Sequence, residues 1–175
     1  MPRVRSFPPI EDARARVLIL GSMPGVASLS AGKYYAHRQN LFWRIMGSLF
    51  GAGPELAYPE RALLLKAQGI AVWDVLESCV REGSLDSAID EGSIAVNDFT
   101  GFYRRHPRIA RVFFNGAKAE AAYRRYVLAS LGGKHRSLEC VRLPSTSPAH
   151  AAMTFAQKRR VWKAALLSPD DAGRT

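Results

Sequence analysis

Four short apolar runs, each stopped by a turn-forming residue and set among helical patterns, constrain the fold more than any other feature. Arg16-Val-Leu-Ile-Leu-Gly-Ser22 is rich in leucine and β-branched residues and is closed by Gly21 and Pro24, so it reads as a buried strand. Gly69-Ile-Ala-Val-Trp-Asp-Val75, Arg111-Val-Phe-Phe-Asn-Gly116 and Glu139-Cys-Val-Arg-Leu143 have the same character, the last stopped by Pro144. Helical spacing of Leu41, Phe42, Ile45 and Leu49 predicts a helix from Asn40 to Phe50. Further helices are expected over Pro59 to Ala67, Asn97 to His106, Ala117 to Leu128 and Thr154 to Leu167. Asn97, Asp98 and Thr154 are the cap candidates. Strands alternating with helices predict an α/β fold: a three-layer αβα sandwich around a four-stranded parallel sheet.

The 175 residues fit one domain over 1–175. A hydrophobic share of 47% supplies a core and argues against disorder. Loose ends are expected at about 1–10 and 168–175: Met1 to Pro9 holds three prolines, and Ser168 to Thr175 is short and polar. The balance of 25 Lys and Arg against 15 Asp and Glu gives a charge of +10, which attracts polyanions by releasing condensed counterions. Arg104-Arg105-His106, Arg124-Arg125 and Lys158-Arg159-Arg160 concentrate this charge, and each fits a solvated helix face equally well. Cys79 and Cys140 are far apart and form no CxxC pair, which excludes a four-cysteine metal site from this chain alone. Their apolar neighbours suggest reduced core thiols and a cytoplasmic protein. No apolar run approaches the roughly 20 residues of a membrane span, and no secretory signal is evident.

In open α/β sheets, ligands bind beyond the carboxyl ends of the strands. That rule selects Gly21-Ser-Met-Pro-Gly25, Asp74, Asn115-Gly116 and Pro144-Ser-Thr-Ser-Pro-Ala-His150. A long loop from Val26 to Gln39 leaves the first and carries Tyr34, Tyr35, His37 and Arg38. Gly21 to Gly25 matches neither glycine-rich nucleotide fingerprint; it is a tight turn whose amides can face a ligand carbonyl.

Gly21-Ser-Met-Pro-Gly25, Tyr35-Ala-His37 and Asn40-Leu-Phe-Trp43 together resemble the first motif of the mismatch-specific uracil/thymine-DNA glycosylases. Ser145-Thr-Ser-Pro-Ala-His150 resembles the second motif of the uracil-DNA glycosylase superfamily, and Trp73-Asp-Val75 and Phe114-Asn-Gly116 fall where that fold has strand ends. The superfamily places Asp or Asn before the proline of its first motif, to position the attacking water. Here Met23 stands there, and a thioether orients water poorly. In this the chain looks like the hypoxanthine-DNA glycosylase branch.

The resemblance implies a monofunctional DNA glycosylase of base excision repair, hydrolysing the N-glycosidic bond of hypoxanthine or uracil in double- or single-stranded DNA. It implies a monomer without cofactor, metal or membrane association. Asn40, at the start of a helix, is the first candidate to hold the water, unless it is only a helix cap; Asn115 is the second. Tyr35 matches the aromatic that stacks on the flipped base. The amides of Ser22 and Met23 suit a base carbonyl, and the Asn115 side chain suits a polar base edge. Ser145 and Ser147 suit phosphate oxygens, and His150 a phosphate, the leaving base or loop structure. No lysine lies in the motif, so no Schiff-base step is expected; Lys33, in the loop, is the nearest. A catalytically inert glycosylase-fold DNA binder is the alternative. A serine hydrolase using Ser145 or Ser147 with His150 lacks the GxSxG elbow.

Overall fold

The structure, a computed structural model, describes residues 2–168. Its centre is a parallel sheet of β2 (Val17–Gly21), β3 (Ile70–Asp74), β6 (Arg111–Asn115) and β7 (Glu139–Leu143), in the order β3-β2-β6-β7. These are the four expected strands, and all run parallel. Leu18, Ile19 and Leu20 are each 0% exposed. Because successive strand residues point to opposite faces, both faces of the sheet must be covered.

The chain leaves β2 toward β3 and later continues outward from β6 to β7, on the other side. Right-handed crossovers therefore put their helices on opposite faces. The helices on one side include α2 (Phe42–Phe50) and α6 (Phe155–Leu166), which meet through the Phe42 and Trp162 rings at 6.1 Å. On the other, α4 (Phe99–Arg105) meets the segment after α5 (Ala117–Ala122) through a Tyr103–Tyr123 hydroxyl bond of 2.8 Å. α3 (Tyr58–Ala67) precedes β3.

Several boundaries differ from expectation. The loop expected over Val26 to Gln39 begins with a short helix, α1 (Val26–Ala31). The helix expected over Ala117 to Leu128 is regular only to Ala122; Tyr123–Val127 widens into a π-turn, and Leu128–Ser130 tightens into a 3₁₀ turn. α6 starts where Thr154 predicts, its side chain accepting from the Gln157 amide. Asp98 caps α4 in the same way, by accepting from Gly101.

A second sheet was not foreseen. β4 (Leu76–Arg81) follows β3 after one residue and pairs antiparallel with β5 (Ile89–Val96) and with β1 (Arg3–Arg5). The expected loose start is thus corrected: Arg3–Arg5 is a strand, and Ile10 exchanges backbone bonds with Val72 at 2.8 and 2.9 Å. Its prolines do not loosen it because edge pairing and two carbonyl acceptors hold it. Phe7 and Pro8 both accept from the Tyr34 hydroxyl at 3.1 Å. The expected loose tail falls, from residue 169 onward, outside the described residues.

Candidate active site

Strand order reverses between β2 and β6, and a cavity of about 250 Å³ opens beyond their carboxyl ends. Among its lining residues are Ser22, Met23, Tyr35, Asn40, Asn115, Ser145 and Ser147, which the sequence singled out. His150 is absent from the lining.

The Gly21–Gly25 turn forms the inner wall. Gly21 is required by close approach: a Cβ there would lie 2.6 Å from Asp74 Oδ1 and 3.0 Å from the Tyr35 hydroxyl. The carbonyls of Gly21 and Ser22 accept from Val75 and Leu76, whereas the amides of Ser22 and Met23 have no acceptor among the described residues. Two N–H groups thus remain available to a ligand. The fully buried Arg81 braces the turn from behind, its Nη2 donating to the Pro24 carbonyl and its Nε to that of Gly83.

Tyr35 has φ of 54°, a left-handed conformation costly for a bulky residue, and both Tyr34 and Tyr35 line the cavity. The Phe42 ring stacks on one face of Tyr35 at 4.1 Å, so base stacking requires the other face. Trp43 Nε1 donates to the Tyr34 carbonyl at 2.8 Å, tying α2 to the segment. Phe42 and Trp43 are buried packing residues.

Asn40 Oδ1 accepts from the Phe42 amide at 2.9 Å, supporting the start of α2 from one residue outside its cap position, Leu41. The oxygen keeps a second lone pair and the amide nitrogen both hydrogens. Asn115 is engaged on both sides. Its Nδ2 donates to Thr146 Oγ1 and its Oδ1 accepts from the Thr146 amide, each at 2.9 Å. Thr146 is fully buried, and its carbonyl accepts from Leu41 at 3.0 Å. Thr146, not foreseen, therefore locks the strand end, the second-motif loop and the start of α2 together. The Ser145 and Ser147 hydroxyls accept loop amides at 3.1 and 3.2 Å and retain a proton to donate. The His150 carbonyl accepts from Lys158, whose buried ammonium is pushed below its ordinary pKa by desolvation.

Two carboxyls complete the lining. Asp74, 3% exposed, has Oδ2 bonded to the Ser6 hydroxyl at 2.8 Å while Oδ1 lies over Gly21. Burial first, and then the nearby Asp86, raise its pKa to about 7. Asp86 accepts from Ser22 Oγ at 2.6 Å, and desolvation raises it too. Asp86 arrives from the β4–β5 connection, a polar stretch without periodicity that gave no signal. Among the described residues, no cluster of three or more His, Cys, Asp or Glu could hold a metal, and no helix is long and apolar enough to cross a membrane.

Known proteins share this architecture. The curated hypoxanthine DNA glycosylase of Methanosarcina acetivorans is 39% identical over 116 residues, covering 66% of this chain and 72% of that protein. Its Methanosarcina barkeri counterpart is 36% identical over 145 residues, covering 77% and 90%. The solution structure of an M. acetivorans protein described as a candidate uracil DNA glycosylase superposes with a TM-score of 0.77 at 32% identity. It covers 94% of this chain and 97% of that one. The family described as the uracil DNA glycosylase superfamily matches residues 8–167, and the chain belongs to it.

Proposed function

We propose that this DNA glycosylase removes deaminated bases, hypoxanthine foremost and uracil after it, by hydrolysing the N-glycosidic bond. The carrying observation is the pair of unengaged Ser22 and Met23 amides in a cavity that also holds the Tyr35 ring and Asn40. Its volume falls just below the roughly 300–1,000 Å³ of ligand clefts, a size that suits one extruded base.

The amides accept the base carbonyl and stabilise charge as the base departs. Tyr35 offers the face away from Phe42 for stacking, worth roughly 1–3 kcal/mol. The Asn115 amide presents its remaining donor and acceptor to the base edge, and Asp86 an acceptor to a ring N–H. Glycosidic cleavage passes through an oxocarbenium-like sugar, so a strong nucleophile is unnecessary. Asn40 orients the water through its spare lone pair, and Ser145 and Ser147 donate to phosphate oxygens. His150 lies off the cavity and serves the loop or a phosphate. The substrate is double- or single-stranded DNA, the protein acts as a monomer, and its free cysteines suit the cytoplasm.

The test incubates labelled duplexes bearing hypoxanthine, uracil or xanthine with the protein and then cleaves abasic sites with alkali. Strand breaks at hypoxanthine support the reading. Binding without breaks at any lesion would establish the inert DNA binder instead.

A further inference from the structure

The cavity lining carries two carboxyls, Asp74 and Asp86, and no Lys or Arg. Five exposed cations adjoin one another at the other end of the sheet. Arg104, Arg105 and Arg108 lie at and beyond the end of α4, just before β6 begins. Lys134 and Arg136 lie in the 3₁₀ turn Gly133–Ser137, just before β7 begins. Because β6 and β7 are parallel neighbours, both segments sit at the amino ends of these strands, opposite the cavity. They also touch: Lys134 Nζ donates to the Pro107 carbonyl at 3.4 Å, and the His135 and Tyr103 rings stack at 5.4 Å.

All five cations are exposed, and none forms an ion pair among the described residues. Nearby carboxylates are otherwise engaged. Glu11 contacts the buried His106, Glu139 contacts Arg111, and Asp98 caps α4. Five unneutralised cations in adjoining segments repel one another, and a polyanion relieves that repulsion.

We propose that Arg104, Arg105, Arg108, Lys134 and Arg136 form a second DNA-binding surface, which holds a separate duplex segment while the cavity engages its target. β6 alone spans roughly 17 Å, and duplex DNA is stiff over about 150 base pairs. A straight duplex docked on the cavity therefore cannot reach the opposite pole. Two surfaces at opposite poles let the enzyme pass between strands without full release. Chemically, exposed Arg and Lys side chains suit the phosphates of a duplex, contacts that hold DNA without reading its sequence.

The inference rests on DNA being the partner but not on excision, so a capture assay separates the two. The protein is first saturated with a short duplex carrying an uncleavable abasic analogue, and a fluorescent undamaged duplex is then titrated in. The native protein is expected to bind it with a steep salt dependence. Replacing all five cations by Gln should weaken that capture at least tenfold and flatten the salt slope by about 4. Single-turnover excision of hypoxanthine should stay within about twofold. If the fivefold variant melts early, R108E with K134E serves in its place. Failure of the native complex to capture a second duplex would overturn the proposal, as would equal capture by native and variant. A parallel loss of lesion binding would show one continuous DNA track, also against it. Capture of polyglutamate but not of duplex would point to an acidic protein partner instead.

Discussion

Asp74→Asn should change the pH dependence of stability more than any other single substitution near the site. The carboxyl is 3% exposed and sits under the Gly21 turn, with only Ser6 bonded to it among the described residues. Burial lifts its pKa from an ordinary 3.8 to about 7, with Asp86 adding to the rise. The folded chain therefore holds this proton more tightly than the unfolded chain. Stability from this group is complete below about pH 4 and is lost progressively as pH rises toward about 7. Integrating between pH 5 and pH 8 gives a loss of about 2.5 kcal/mol. An asparagine amide keeps the shape and does not titrate. Urea unfolding of both proteins at pH 5 and pH 8, with slopes checked for constancy, measures the effect. The variant should gain about 2.5 kcal/mol on the native protein over that interval. Parallel stability curves would mean that the folded protein keeps Asp74 ionised and that the burial argument fails.

Four further outcomes follow from the site. Asn40→Ala should slow excision about 100-fold while costing about 1 kcal/mol of stability from the lost contact to Phe42; unchanged excision with a lower melting temperature would leave Asn40 only a cap. Tyr35→Ala should slow excision at least tenfold with non-specific DNA binding intact, and a rate equal to the native one would exclude stacking. Asn115→Ala breaks both bonds to Thr146 and should cost about 2 kcal/mol, whereas Asn115→Asp, to which the threonine hydroxyl can donate, should recover most of that stability but not the excision rate. Affinity for an abasic duplex should fall steeply with added salt; a flat response would remove nucleic acid as the partner.

The parallel sheet was legible because buried parallel strands are written as continuous apolar runs, and all four runs became strands of that sheet. β4 and β5 were not, because each mixes exposed and buried residues. Glu77 faces out between Leu76 and Ser78, register shifts interrupt the pairing, and Gly92 lies within β5. Most of the cavity was legible from the strand-end rule and the first motif. Conformation and tertiary pairing were not. Nothing local says that Tyr35 turns left-handed, that Thr146 consumes part of Asn115, or that Asp86 crosses from another sheet to meet Ser22. Asp74 was visible as a strand-end acid, but its raised pKa comes from burial and from Asp86, both set by tertiary packing. Arg104-Arg105-His106 read as one basic cluster, yet the structure turns His106 inward to Glu11 and leaves only the arginines outside.

The segment Arg3 to Ile10 is tied into both sheets. Ser6 donates its amide to Glu77 on one sheet and its hydroxyl to Asp74 on the other, while Ile10 and Val72 exchange amides and carbonyls. The two sheets are thus stitched together by the segment from Arg3 to Ile10, which touches the cavity lining at Asp74. In hydrogen exchange, the amides of Ser6 and Ile10 should be retained like those of central strands, not released like a fraying terminus. A protease nick between Ser6 and Ile10 would admit water to Asp74 and free the Tyr34 hydroxyl, so damage at the sequence's edge would be felt first at the site of chemistry.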